Sequence, residues 1–158
     1  MQKVMTEIGI ASGMQGMVVG QAADLEAEKK IISKKKLAYI HAHKTGALIT
    51  SSVRIGGLVS DATPPQMKRL TDYGKKLGLM FQVTDDILDI EGSQEKRGKK
   101  IGGDIERGKA TYPKLHGMKQ AKQLVLDLIE GCHTDLKLFG KRADTLHSIA
   151  DYVGHRGA

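Results

Sequence analysis

The 158-residue sequence has no tryptophan, two phenylalanines and four tyrosines. So few aromatic rings leave little for bases of an exposed single strand to stack on. A single cysteine, Cys132, excludes an intramolecular disulfide framework and fits a reducing compartment, so a cytoplasmic location is expected. No run of about 18 apolar residues occurs, which excludes a membrane-spanning helix. The N-terminal stretch carries an early Lys3, but Gly9, Gly13, Gln15 and Gly16 interrupt any apolar core. A signal peptide is therefore not expected. What the chain has in excess is glycine: 19 of 158, about 12% against an average near 7%. Glycine costs a helix interior about 1 kcal/mol relative to alanine. Close helix–helix approach or backbone contact with a ligand must offset that. The 25 basic residues outnumber the 18 acidic ones, for a net charge of +7.

Periodicity sets the fold class as all-α, since no strand alternation persists. Residues 1–23 read as one helix and 24–33 as a polar connection. Ser33 is a candidate cap for a helix from about Leu37 to Val59, although three lysines in its first turn oppose the dipole. Thr63-Pro64-Pro65 is a strong helix start. The helix it opens runs to about Ile90, with Leu70, Tyr73, Leu77, Phe81 and Leu88 at helical spacing. Residues 91–110 are rich in glycine and charge and read as a functional loop or an exposed linker. Thr111-Tyr112-Pro113 opens a further helical stretch. Ala121 to Leu138 is amphipathic, with Leu124, Leu128, Cys132 and Leu136 in register, and a last helix covers about Ala143 to Val153.

Phe81-Gln82-Val83-Thr84-Asp85-Asp86-Ile87-Leu88-Asp89 is the most informative stretch. On a helix Gln82, Asp85 and Asp89 share one face, and Asp86 sits beside Gln82. Carboxylates crowded on an apolar helix repel one another, and a hard divalent cation relieves that repulsion. The same spacing also describes a solvated acidic face paired with lysines. Gln21 and Asp24 lie one turn apart. Lys44 sits among apolar and small residues, so its ammonium needs a partner, an anion or a route to solvent. His41 and His43 do not share a helix face, which argues against a zinc pair and for satisfied or exposed rings. Gly98-Lys99-Lys100-Ile101-Gly102-Gly103-Asp104, followed by Gly108-Lys109, alternates glycine with lysine, a composition suited to phosphate. It equally suits a flexible basic loop, and it is not a P-loop.

At these residues the chain resembles the trans-isoprenyl diphosphate synthases, the polyprenyl synthetase family, and among them the bacterial farnesyl and geranylgeranyl diphosphate synthases. FQVTDDILD (81–89) looks like the family's second aspartate-rich motif, and HKTGALI (43–49) like its Lys-Thr motif. GQAADL (20–25), GKKIGGDIERGKATYPKL (98–115) and DYVGHR (151–156) match in order and spacing. The family's first aspartate-rich motif has no counterpart. The resemblance thus implies that residues 1–158 are the C-terminal half of an isoprenoid synthase-type helical bundle, lacking the half with that motif.

The resemblance also implies roles at the matching positions. Asp85 would be the main Mg2+ ligand, with Asp86 and Asp89 supporting it directly or through water. Lys44, Thr45, Gln82 and Lys99 would hold the allylic diphosphate, with Lys109 adding charge and Lys100 an alternative to Lys99. Catalysis would rest on Lys44, Asp85 and Asp86. Gln21 and Asp24 would border the cavity, and Arg156 could approach isopentenyl diphosphate. The implied reaction condenses an allylic diphosphate with isopentenyl diphosphate to a longer trans-prenyl diphosphate. A homodimer is expected, and neither nucleic acid nor a membrane span. The alternative is a non-catalytic or split-subunit member that needs an N-terminal-half partner. A cyclase of this fold fits less well, because it usually replaces the second aspartate motif with Asn, Ser and Glu. A basic nucleic-acid binder would explain the charge, but no recognised binding motif supports it. Without the other half, the apolar face of residues 1–23 is expected to be exposed.

Overall fold

The computed structural model describes residues 1–91 and 110–156. The described residues are helical, with no strand among them. In chain order the helices are α1 (Gln2–Ser12), α2 (Met17–Ala27), α3 (Lys34–His41), α4 (Ala47–Val59), α5 (Pro64–Glu91), α6 (Tyr112–His116), α7 (Met118–Leu136) and α8 (Asp144–His155). A π-helical turn, Ala42–Gly46, joins α3 to α4, and a 3-10 turn, Lys137–Ala143, joins α7 to α8. None of these helices is long and apolar enough to cross a membrane.

The long helix α5 organises the rest. Gln66 Oε1 reaches back to the Thr63 amide, 2.8 Å away, closing the turn that the Thr-Pro-Pro start predicts. One side of α5 packs on α4 and another on α7. Tyr73, Leu77, Met80 and Val83 of α5 meet Ala121, Val125, Leu128, Cys132 and Leu136 of α7, with Ala150 and Val153 of α8 closing the layer. Each large apolar side chain buried there contributes about 1.5–3 kcal/mol. The Tyr73 hydroxyl stays satisfied by donating to the Leu146 carbonyl at 2.8 Å. Burial pushes the Cys132 thiol up to about 12, so it is an inert core residue rather than a nucleophile. Asp135 is buried between α5 and α7 and paired by two α5 cations, Lys76 and Arg69. On the other flank, Arg54 of α4 donates to Glu7 of α1 at 3.0 Å and to the Thr71 hydroxyl of α5 at 2.7 Å.

Two readings of the chain's first third need correction. Residues 1–23 form two helices, not one, because the chain turns at Gly13–Gly16. A Cβ at Gly16 would collide with the Ala11 carbonyl oxygen, so the turn requires glycine there. The second helix also runs past residue 23, since Ala23 and Ala27 bury against Ile40 of α3. Asp24 therefore rides on a helix rather than in a connection. The Ser33 cap does form: its hydroxyl accepts from the Lys36 amide at 3.1 Å, so α3 begins at Lys34. The three lysines are tolerated because none of them is buried.

Two helix crossings show what the glycines do. A Cβ on Gly20 of α2 would collide with the backbone of His43 and Lys44, so α2 lies directly on the π turn. A Cβ on Gly78 of α5 would sit 2.7 Å from the Gly46 Cα, so α5 presses on the same turn from another side. The π turn is thus held by backbone contact. The exposed apolar residues Met1, Met5, Ile8, Ile10 and Met14 lie on and just beyond α1, as expected of its uncovered face.

Candidate functional site: a carboxylate–lysine cleft

α2, α3, the π turn and α5, together with Ala110 and Thr111, line a cleft of about 160 Å³. Its polar wall carries Asp24, His41, Lys44, Gln82, Asp85 and Asp86, and its apolar wall Leu37 and Ile40. The π turn aims Lys44. One residue added to a turn rotates the residues after it by about 100°, and such insertions recur at functional sites. The Lys44 ammonium donates to Asp24 Oδ2 at 2.7 Å. This supplies the partner that an embedded lysine needs.

The two neighbouring aspartates differ in setting. The Asp85 side chain is 45% exposed, that of Asp86 only 11%. Asp86 Oδ2 accepts the Tyr112 amide at 2.7 Å, an N–H left without an intrahelical partner at the start of α6. Arg156, at the end of α8, donates to the Phe81 carbonyl at 2.8 Å and stacks 3.9 Å above the Phe81 ring centroid. Its Nη2 lies 3.7 Å from Asp85 Oδ1. A tail residue is thereby fixed beside the more accessible carboxylate.

His41 is neither exposed nor fully satisfied, contrary to the sequence reading. It is 4% exposed, and its Nδ1 has no hydrogen-bond partner among the described residues. Its Nε2 lies 3.7 Å from Asp86 Oδ2. Burial, aided by the Lys44 charge and opposed by Asp24, pushes the imidazole down to about 4. The ring is neutral at pH 7, so its approach to Asp86 is not an ion pair. The unfolded chain takes up this proton near pH 6.5, whereas the folded chain resists it until about pH 4. Stability gained above pH 6.5 is therefore lost as pH falls from about 6.5 to 4, by up to about 3 kcal/mol. Urea unfolding of metal-free protein across that range should show the loss, and His41→Gln should flatten it. His43 behaves as expected, with Nδ1 2.8 Å from the Tyr39 carbonyl and its ring stacked on Tyr39.

The structure thus brings Asp24, Lys44, Gln82, Asp85 and Asp86 into one cleft. Asp89 is buried further along α5, Thr45 is half-buried in the π turn, and Gln21 is exposed. Neither Asp89, Thr45 nor Gln21 lines the cleft. Lys99, Lys100 and Lys109 lie outside the described residues. Sequence reasoning missed His41 and the Tyr112 amide as cleft components. The Thr111-Tyr112-Pro113 helix start was the available signal for the amide.

Hard oxygen donors beside an ammonium suit an anion bridged by a hard cation. Mg2+ takes one or two carboxylates and fills its other positions with phosphate and water. Asp85 and Asp86 meet that need. No group of three or more His, Cys, Asp and Glu is arranged to hold a metal among the described residues, and Mg2+ does not require one.

Cleft and bundle together define a helical protein that sets an ammonium beside carboxylates in one cleft. The chain belongs to the polyprenyl synthetase family, whose model matches residues 4–139. It is 43% identical over 154 residues to the farnesyl diphosphate synthase of Geobacillus stearothermophilus, covering 98% of this chain and 52% of that protein. The farnesyl diphosphate synthase of Escherichia coli is 43% identical over 157 residues, covering 97% and 52%. Among solved structures, a putative farnesyl-diphosphate synthase from Marinomonas sp. MED121 superposes with a TM-score of 0.81 at 40% identity, over 96% of this chain and 51% of that one. A geranyltransferase from Helicobacter pylori, complexed with magnesium and isoprenyl diphosphate, superposes with a TM-score of 0.78 at 28% identity, over 96% and 50%. The chain spans about half the length of the relatives it matches.

Proposed function

We propose that residues 1–158 are the C-terminal half of a polyprenyl synthetase domain, supplying the second metal- and diphosphate-binding wall of a trans-prenyltransferase. Its substrates are an allylic diphosphate and isopentenyl diphosphate, and its product is a longer trans-prenyl diphosphate. The observation that carries this reading is the convergence of Lys44, Gln82, Asp85 and Asp86 on one cleft. The H. pylori structure, with magnesium and isoprenyl diphosphate together, supports the same pairing of cation and ligand here.

Lys44 donates to the diphosphate oxygens, and Asp24, 2.7 Å from its ammonium, orients it. Gln82 offers an amide donor one turn before Asp85 and Asp86. Thr45, Lys99 and Lys109 complete the diphosphate set. Asp85 and Asp86 would hold Mg2+, with Asp89, which lies outside the cleft, supporting them through water, and the ion when bound would supply positive charge against the departing diphosphate. The Tyr112 amide fixes the Asp86 carboxylate, so that donor is positioned before the ligand arrives. Leu37 and Ile40 give the same cleft an apolar side. A cytoplasmic location and a homodimer belong to this reading. Exposed Met5, Ile8 and Met14 are the surface that the rest of the bundle covers.

The test is incorporation of labelled isopentenyl diphosphate onto an allylic diphosphate with Mg2+. The chain is assayed alone and mixed with a polypeptide carrying the first aspartate-rich half. Little or no product is expected from the chain alone, and product from the mixture. Efficient condensation by the chain alone contradicts the half-domain assignment. No product from either, together with no magnesium-dependent diphosphate binding, contradicts the function.

A further inference from the structure

The connection between α2 and α3 carries two adjacent isoleucines with opposite fates. Ile32 packs against Ala23, Ala27 and Ile40 and so closes the α2–α3 hairpin. Ile31 is fully exposed. A lone exposed apolar side chain is ordinary on a protein surface. This one is flanked by charge of a single sign. Lys29, Lys30, Lys34 and Lys35 stand on either side of it in sequence, and all four are exposed. None of the four is in an ion pair with another described residue. Glu26 lies 4.0 Å from Lys36 Nζ, which balances its charge, and Glu28 is half-buried. The tip 29–35 therefore carries four positive charges and no negative one.

The tip is built rather than loose. Lys29 holds φ 58°, the left-handed position after a helix end that glycine usually takes. The Lys30 amide donates to the Ala27 carbonyl at 3.1 Å, and Ser33 caps α3. With Ile32 packed between these two ties, Ile31 is presented outward without an ordering cost on binding. A nucleic acid or a soluble diphosphate would use the lysines and leave Ile31 idle. An anionic bilayer uses both. Lysines meet its headgroup phosphates, and an apolar side chain enters the boundary between headgroups and acyl chains.

We propose that the α2–α3 tip docks the chain on an anionic lipid bilayer, with Lys29, Lys30, Lys34 and Lys35 at the phosphates and Ile31 inserted between headgroups. The contact is peripheral and salt-sensitive, and none of the described helices crosses the membrane. Lys34 and Lys35 lie within a turn of Leu37 on α3, and Leu37 and Ile40 line the carboxylate–lysine cleft. Docking thus holds that cleft close to the lipid surface. The proposal stands whether or not the cleft takes a prenyl diphosphate.

The probe is vesicles of phosphatidylcholine mixed with phosphatidylglycerol, against phosphatidylcholine alone, floated with the full chain. Each lysine beside an anionic surface is worth about fivefold in partition. Partition onto the anionic vesicles should therefore exceed that onto the neutral ones by about a hundredfold or more at low salt, and fall steeply as salt is raised. Lys30→Gln/Lys34→Gln/Lys35→Gln should lose about a hundredfold. Ile31→Ser should leave the urea midpoint unchanged and weaken partition at least about threefold. The chain has no tryptophan, so Ile31→Trp adds a single fluorophore, whose emission should shift to the blue on anionic vesicles. Equal partition onto both vesicles, or undiminished partition in the triple lysine variant, overturns the proposal, because the exposed face of α1 then carries the contact. So does an unshifted Ile31→Trp emission at saturating anionic vesicles. Tighter binding of single-stranded RNA than of anionic vesicles, unaffected by Ile31→Ser, assigns the tip to nucleic acid and overturns it as well.

Discussion

Lys44→Ala is expected to weaken magnesium-dependent binding of a prenyl diphosphate by about ten- to a hundredfold, corresponding to roughly 1.5–3 kcal/mol for hydrogen bonds to a charged group. The argument is positional. Lys44 leaves the helix at the π turn, is steered by Asp24 at 2.7 Å, and shares the cleft with Asp85 and Asp86. Removing it leaves carboxylates that repel the ligand and, among the described residues lining the cleft, no ammonium. Lys44→Arg should recover part of the affinity, because it keeps the charge but alters reach and hydrogen-bond geometry. Titration calorimetry of the two variants with and without Mg2+ separates loss of the ammonium from loss of fold. Equal affinity in Lys44→Ala and the unaltered chain would remove Lys44 from the site.

Gly20→Val should be the most disruptive single change to the fold near the site, costing about 3 kcal/mol or more. A side chain there meets the backbone of His43 and Lys44, not the end of a flexible side chain, so relief requires shifting α2 or the π turn. Overpacking typically costs about 1–3 kcal/mol, and a rigid neighbour puts this case at or above the top of that range. Shifting α2 also moves Asp24 away from Lys44, so ligand binding should fall together with stability. Gly56→Ala is the contrast. Gly56 is exposed in α4, and a Cβ there meets nothing within 4 Å. That substitution should stabilise the protein by about 0.5–1 kcal/mol through helix propensity alone. Urea midpoints for the two variants should move in opposite directions.

Local signals made much of this legible in the sequence. Thr63-Pro64-Pro65 marks the start of α5, and the spacing of Leu124, Leu128, Cys132 and Leu136 marks the buried face of α7. Gln82, Asp85 and Asp86 share a cleft, but Asp89, which helical spacing puts on the face of Gln82 and Asp85, is buried outside it. The excess glycine does serve close packing, but composition could not say that Gly20 and Gly78 grip one turn from two sides. The break at Gly13–Gly16 was hidden because apolar periodicity continues across it. The π turn has no spacing signature, so the direction of Lys44 could not be read from a 3.6-residue period. His41 and the Tyr112 amide reach the cleft through contacts between distant segments, which no local pattern encodes.

The central claim is that this cleft binds a prenyl diphosphate through a cation held by Asp85. Calorimetric titration of the chain with a non-reactive prenyl diphosphate analogue, in Mg2+ and again in EDTA, tests it most directly. Binding should require Mg2+, vanish in EDTA and weaken at least about tenfold in Asp85→Ala, the scale on which lost charge-assisted contacts act. Binding of equal strength in EDTA, or in Asp85→Ala with Mg2+, would contradict it.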